Sequence, residues 1–277
     1  MQFTTPVSIP RSPWDIRYSD KILFLGSCFS DHIAAYLKQY YFQVTANPTG
    51  TLYNPVSIAH HHSLMDKADV VLITFGTAWV YLDNVLPATD NPLDRVVDNC
   101  QKRPAADFTR MRLGKEDIVS QWLPIVRQYK DKRFVFTVSP IRHIKDGLHE
   151  NQVSKAILLE AIDELVAYAS EKDRSLRINY FPAYEILLDE LRDYRYYAAD
   201  MMHPSEVAVE YIFSRFAQTY LYDAQTQSDM RTLHQLYLDS RHRPLHPDSE
   251  AYKAFVRSLE SRREELKRQF PWLPDDD

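Results

Sequence analysis

A hydroxyl and a thiol side by side at Ser27 and Cys28, and a carboxylate three residues before an imidazole at Asp200 and His203, are of the types and spacing that nucleophilic catalysis uses. The first pair falls in "LFLGSCFSDHI", residues 23–33, where a strand-like apolar run stops at Gly26 and Ile33, Ala34 and Leu37 resume at helical spacing. A side chain at such a hand-over lies beside unpaired N–H groups and the positive end of a helix dipole, which can hold a developing oxyanion. Serine is also a favoured N-cap, so Ser27 has a plain structural reading next to the catalytic one. Cys28 shares the electrostatics that favour thiolates at helix N-termini, and its own plain reading is burial beneath the helix. In "AADMMHPSE", Asp200 is placed to orient the imidazole of His203 through one ring nitrogen while the other takes a proton. Asp-x-x-His is a short pattern that a turn before Pro204 also explains.

Elements that bring these distant groups together can be read along the chain. Expected strands are 21–26, about 42–46, 68–77, 133–138 and about 176–181, alternating with helices at about 29–40, 55–64, 115–130, 151–170, 182–191 and 205–220. The run "ADVVLITFGT" has the continuous apolarity of a strand covered on both faces. This alternation predicts an α/β chain with a parallel sheet whose ligands gather beyond the carboxyl ends of the strands, at the turns after Gly26, Gly76 and Ser139. Residues 81 to about 114 carry Pro, Asp and Asn without a sustained period, as a long irregular insertion or small hairpin would.

Residues 1–225 are expected to form the main domain and 226–277 a helical extension packed on it. Leu233, Leu236 and Tyr237, then Tyr252, Phe255, Val256 and Leu259, give that extension amphipathic stripes, and a homo-oligomer surface is the alternative use for them.

Composition narrows the function classes. A formal net charge of −5 and a pI near 6.1 argue against nucleic acid as a partner. No run of eighteen apolar residues suggests a membrane span, and the N-terminus lacks the pattern of a secretory signal, so a cytoplasmic protein is expected. Two cysteines, Cys28 and Cys100, are too few for a disulfide framework. The run His60 to His62 does not predict a metal site, because adjacent helical side chains point about 100° apart. No cofactor is expected.

Several motifs together carry a resemblance. "GSCFS" at 26–30, "YNP" at 53–55, "TFGTAWVY" at 74–81, "SPIRH" at 139–143, "DGLHENQVSKAIL" at 146–158 and "DMMHPSE" at 200–206 resemble the GSCFA family within the SGNH (GDSL-type) hydrolase superfamily. The resemblance spans about residues 20–220, with Ser30 in place of the final alanine of the name motif. It implies a three-layer, flavodoxin-like fold and ester hydrolysis through a serine nucleophile, mapped to Ser27, with His203 as base and Asp200 as its partner. It further implies an oxyanion hole from the N–H groups of Ser27 and Gly50. The asparagine donor usual in that superfamily is replaced by Ala78, which leaves Thr77, Asn54 and Asn99 as substitutes by residue type.

The expected function is therefore a serine esterase acting on a small-molecule or carbohydrate ester through an acyl-enzyme. Arg142, His143 and Trp79 are expected at the substrate, and Tyr81, Tyr196 and Tyr197 are further aromatic platform residues. A weakly active or non-catalytic binding protein that keeps the fold is one alternative, and acyl transfer to a second hydroxyl is another.

Overall fold

Residues 70–75, VVLITF, are buried on both faces, and they form the central strand of the sheet. The computed structural model describes residues 4–98 and 102–275. Its main sheet is parallel, in the order β2-β1-β3-β6-β7, from β1 (Lys21–Gly26), β2 (Gln43–Ala46), β3 (Val70–Phe75), β6 (Arg133–Val138) and β7 (Arg177–Tyr180). The parallel α/β sheet is the one the sequence alternation predicts, and its order is the flavodoxin-like one that the family resemblance implies.

The period-2 side-chain alternation divides the core between the two faces of the sheet. Leu23, Leu25, Val71, Ile73, Phe75, Phe134 and Phe136 join one apolar cluster with α2 (Pro55–His60), α3 (Lys115–Gln128) and α4 (Leu148–Glu171). Ile22, Phe24, Val70, Leu72 and Val135 join the other with α1 (Cys28–Gln39) and α6 (Glu206–Tyr220). Helices on both faces leave the carboxyl ends of β1, β3 and β6 open as a rim.

Two glycines set the spacing of that rim. A Cβ on Gly26 would stand 2.2 Å from the Thr74 carbonyl oxygen, at φ +134°, so β1 and β3 approach this closely because residue 26 has no side chain. A Cβ on Gly76 would lie 2.9 Å from the Tyr53 carbonyl oxygen and 3.5 Å from Cβ of Ser27. The loops after β1 and β3 and the loop before α2 thus meet at backbone distance.

Several elements differ from expectation. The segment after β3 forms a separate antiparallel pair, β4 (Trp79–Asp83) with β5 (Phe108–Arg112), the small-hairpin reading of that segment begun two residues earlier than expected. The helix expected at 55–64 ends at His60 and continues as a 3₁₀ segment, His62–Lys67. The helix expected at 182–191 is a short turn, α5 (Ala183–Glu185), followed by a π-helical stretch at Ile186–Leu191.

The C-terminal helices are α7 (Ala224–Ser240) and α8 (Glu250–Gln269). Met230, Leu233 and Leu236 of α7, with Phe270 and Leu273 beyond α8, belong to the same apolar cluster as α1 and α6. Trp272 Nε1 donates to the Tyr41 carbonyl at 2.8 Å, which ties the chain end to the segment just before β2. Among the described residues, no helix is long and apolar enough to cross a membrane.

Candidate active site

The turn from β1 into α1 decides which of the adjacent residues faces the rim. Ser27 is the N-cap: its backbone is extended, its Oγ accepts from the Phe29 N–H at 3.3 Å, and its own N–H donates to the Thr74 carbonyl at 3.2 Å. At 1% exposure it faces the interior. Among the described residues its hydroxyl has no hydrogen bond to His203. Cys28, the next residue and the first of the helix, is only partly buried, and its Sγ lies 3.7 Å from Nε2 of His203. The sequence reading expected Ser27 at the imidazole; the side chain in contact with Nε2 is that of Cys28, while Ser27 Oγ caps its own helix. The physical reason is the cap, which turns the hydroxyl back onto its own helix and leaves the following side chain to point out.

The other side of the imidazole is held firmly. His203 Nδ1 is 2.6 Å from Asp200 Oδ2. The second carboxylate oxygen, Oδ1, accepts from the backbone N–H groups of Met202 at 2.9 Å and His203 at 3.0 Å. Those backbone donors, more than the imidazole, hold the Asp200 carboxyl down at about 2, so it is ionised at neutral pH. The loop that presents the pair is closed by Ala198 N–H to the His203 carbonyl, 2.8 Å, and Ser205 N–H to the Tyr196 carbonyl, 2.8 Å.

Burial pushes the Cys28 thiol above its ordinary value, while its own N–H and that of Phe29 favour the thiolate less strongly. The sulfur therefore rests as a thiol beside a base. Asp31 and the nearby ring of Tyr53 complete its surroundings, and the field of the sulfur in turn bears on Tyr53. Burial first, and then the nearby His203, hold the His32 imidazole below its ordinary value.

The expected oxyanion donors have other partners. Gly50 sits in an exposed turn at φ +93°, with its N–H engaged by the Asn47 carbonyl at 2.9 Å. The Ser27 N–H is engaged by Thr74. Asn54 is the N-cap of α2, its Oδ1 accepting from Ser57 N–H at 2.9 Å and its Nδ2 donating to Ser57 Oγ at 2.8 Å. Thr77 Oγ1 is 3.1 Å from Ser154 Oγ and accepts from the Trp79 N–H. Asn99 and Cys100 lie outside the described residues. Among the described residues, Ser27, Gly50, Asn54 and Thr77 each already meet a backbone or helix-cap need. The Cys28 N–H, in the first turn of α1, has no intrahelical acceptor and is aligned with the helix dipole.

Of the expected substrate contacts, Trp79 lies on the β4–β5 hairpin with Arg110, 3.9 Å from the ring centre, and Arg112, 5.4 Å, over its ring. Arg142 donates to the Met201 carbonyl at 3.2 Å and lies over the rings of Tyr194 and Tyr197. It braces the Asp200 loop, and the same residues line a cavity of about 380 Å³ with Pro140, Asn151 and Tyr184. His143 follows β6 and meets the Tyr53 ring edge-on, centroids 6.1 Å apart. His60 and His61 both reach Asp98, at 3.3 and 2.7 Å, while His62 is 3.3 Å from the Tyr129 hydroxyl.

Lys155, which the sequence reading passed over, is buried in α4 with its Nζ 2.6 Å from the Gly76 carbonyl and 2.7 Å from the Ser139 carbonyl. It clamps the ends of β3 and β6 together directly under the rim. The signal was present: Asn151, Ser154, Lys155 and Leu158 recur at i, i+3, i+4 and i+7 and are all buried, a polar stripe at core spacing.

With this geometry in place, comparison with known proteins adds a family. The GSCFA family model matches residues 21–65 and 57–216, and the model of the GSCFA domain protein C-terminal domain matches 234–276. No curated protein matches the chain. Among solved structures, it is similar to a member of the lipolytic protein G-D-S-L family from Veillonella parvula, at 10% identity and TM-score 0.44, over 73% of this chain and 99% of that one. It is also similar to an acetylxylan esterase from Geobacillus stearothermophilus, a catalytic mutant, at 14% identity and TM-score 0.44, over 76% and 97%. A GDSL-like lipase from Bacteroides thetaiotaomicron is similar at 10% identity and TM-score 0.43, over 72% and 86%.

Proposed function

The chain belongs to the GSCFA family, and we propose that it is an ester hydrolase whose nucleophile is the thiol of Cys28, with His203 as general base and Asp200 as the group that orients it. The observation that carries this reading is the row of contacts Cys28 Sγ to His203 Nε2 at 3.7 Å and His203 Nδ1 to Asp200 Oδ2 at 2.6 Å.

Because the thiol rests protonated, attack and proton removal go together. His203 Nε2 takes the Cys28 proton as the sulfur bonds to the acyl carbon, and the carbonyl π electrons move onto oxygen. When that oxyanion collapses, the ester C–O bond breaks and the imidazolium returns the proton to the departing alkoxide. A thioester remains on Cys28. Water then attacks the thioester with His203 again as base, the C–S bond breaks, and the thiolate recovers its proton as the acid leaves. Asp200, ionised throughout, keeps Nδ1–H in place and stabilises each imidazolium.

The substrate class supported is a short acyl ester, with the carbohydrate esters expected from the sequence as one set of candidates. The Tyr184, Tyr194 and Tyr197 cavity beside the Asp200 loop offers the apolar and hydroxyl-bearing surface such an alcohol part would use. A thiol nucleophile also suits the reducing, cytoplasmic setting expected from the sequence. The test is to mix the protein with p-nitrophenyl acetate, quench early and digest it for mass spectrometry. An acetyl mass on the peptide at Cys28 is expected. Acetylation at Ser27, or ester turnover that persists in Cys28→Ala, would overturn the assignment.

A further inference from the structure

Ser30, the residue that departs from the alanine of the name motif, donates its Oγ–H to Thr74 Oγ1 at 2.7 Å. Both side chains are buried, at 1% and 2% exposure, so water does not compete for the bond. Thr74 is also the residue whose carbonyl accepts the Ser27 N–H at 3.2 Å. One residue of β3 therefore holds the first turn of α1 at two points, one on each side of Cys28.

That turn is where the helix is least held by its own bonds, because its leading N–H groups have no intrahelical acceptors. Within it, the Ser30 N–H donates to the Ser27 carbonyl at 2.9 Å and the Phe29 N–H to Ser27 Oγ at 3.3 Å. Neither bond fixes how the turn is rotated against the sheet. Ser30 does so through its side chain. It opens the buried stripe Ser30, Ile33, Ala34 and Leu37, spaced i, i+3, i+4 and i+7, the face that α1 lays on the sheet. Successive helical side chains are about 100° apart, so residue 28 points about 200° away from residue 30. Seating Ser30 on Thr74 thereby turns Cys28 away from the sheet, to the side where its Sγ meets His203 Nε2 at 3.7 Å. The apolar members of the stripe tolerate small rotations, whereas a hydrogen bond weakens steeply as its geometry departs from the optimum.

We infer that Ser30, through Thr74, is a positioning residue for the nucleophile: it sets the rotation of the first turn of α1 and with it the aim of the Cys28 thiol. This rests on the reading of Cys28 as the attacking group. The bond acts by where it places the sulfur, and a misplacement of about 1 Å costs on the order of 10² in rate.

The rate of thioester formation at Cys28 reads the effect, followed as p-nitrophenolate release from p-nitrophenyl acetate in single turnovers and normalised to folded protein. Ser30→Ala removes the donor and Thr74→Val the acceptor. Each is expected to lower the maximal rate roughly 10-fold, with the half-saturating concentration nearly unchanged. The double variant is expected to be no slower than either single one, because both remove the same bond. Thr74→Ser keeps the hydroxyl and is expected to match the parent. A residue that only packs the core would lower the unfolding midpoint without this split in the kinetics and without the rescue. A parental rate in Ser30→Ala, losses that multiply in the double variant, or a Thr74→Ser as slow as Thr74→Val would each overturn the inference, while an inactive Cys28→Ala leaves the thiol mechanism standing. If Thr74→Val does not fold, Ser30→Ala and Thr74→Ser decide between these outcomes. An active Cys28→Ala instead removes the thiol mechanism and this role with it.

Discussion

The sulfur of Cys28 lies 3.7 Å from Nε2 of His203, while the hydroxyl of Ser27, one residue earlier, is turned back to cap the helix that Cys28 begins. Substitutions should separate these roles cleanly. Cys28→Ala is expected to lower esterase turnover by at least about 10³-fold, as loss of a nucleophile does. Ser27→Ala is expected to retain most activity and to lose about 1 kcal/mol of stability, the usual cost of removing an N-cap hydroxyl. Steady-state kinetics beside thermal melts of both variants check the pair, and a Ser27→Ala enzyme as dead as Cys28→Ala would contradict it.

The ionisation of Cys28 gives a second expectation. Burial raises the thiol above its ordinary value, so the thiolate fraction is small at neutral pH and grows as pH rises. Iodoacetamide labelling of Cys28 should therefore accelerate through the alkaline range, with its midpoint above that of a free cysteine in a peptide. A labelling rate already at its plateau below pH 7 would mean a preformed thiolate–imidazolium pair, and would replace the concerted proton transfer described above.

How far this site could be read from residues alone differs from part to part. β1 and β6 were legible to the residue, because their apolar runs end at Gly26 and before "SPIRH" and strand burial needs no knowledge of distant partners. Asp200 and His203 were legible as a pair because they are local. Ser27 against Cys28 was not, since both suit a helix start and the choice depends on which one the backbone turns inward at the cap. Gly50 shows a similar ambiguity: its positive φ serves a turn with Asn47, and a glycine required by a turn looks the same in sequence as one required at an oxyanion. Lys155 was hidden by its charge, although its place on the buried stripe of α4 marked it.

The close approach of β1 to β3 makes Gly26 a sensitive position. Gly26→Ala must move a carbonyl 2.2 Å away and hold alanine at φ +134°, a region that L-residues rarely enter. A loss of about 2 kcal/mol or more is expected, with esterase activity falling beyond what the unfolded fraction accounts for, because the same shift displaces Cys28. Urea unfolding together with activity per folded molecule measures both parts.

Lys155 should report on the rim from below. Lys155→Met keeps much of the volume but leaves the Gly76 and Ser139 carbonyls without their donor, and each unpaired buried group costs about 1–3 kcal/mol. The expected result is a lower unfolding midpoint together with reduced kcat, as the β3 and β6 ends lose their clamp. A variant as stable and as active as the parent would show that the two carbonyls find other donors and that the clamp does not shape the site.

His143 also ties stability to pH, with a sign that can be worked out. Its folded value of about 4 lies below the ordinary histidine value of 6.5, so between these the unfolded chain binds more protons than the folded one. Above the upper value both states are neutral and the residue has no pH effect. As pH falls from 6.5 toward 4 the unfolded state gains protonation that the buried ring resists, and stability is lost; below 4 both are charged and the loss levels off. Lys155, with a folded value of about 7 against 10.5, acts in the separate window above neutrality, where stability rises with pH. Urea unfolding of the parent from pH 4 to 7 should therefore show a decline toward acid that His143→Gln makes shallower. If the two curves run parallel through this window, the ring takes up its proton as readily folded as unfolded, and burial does not hold it neutral.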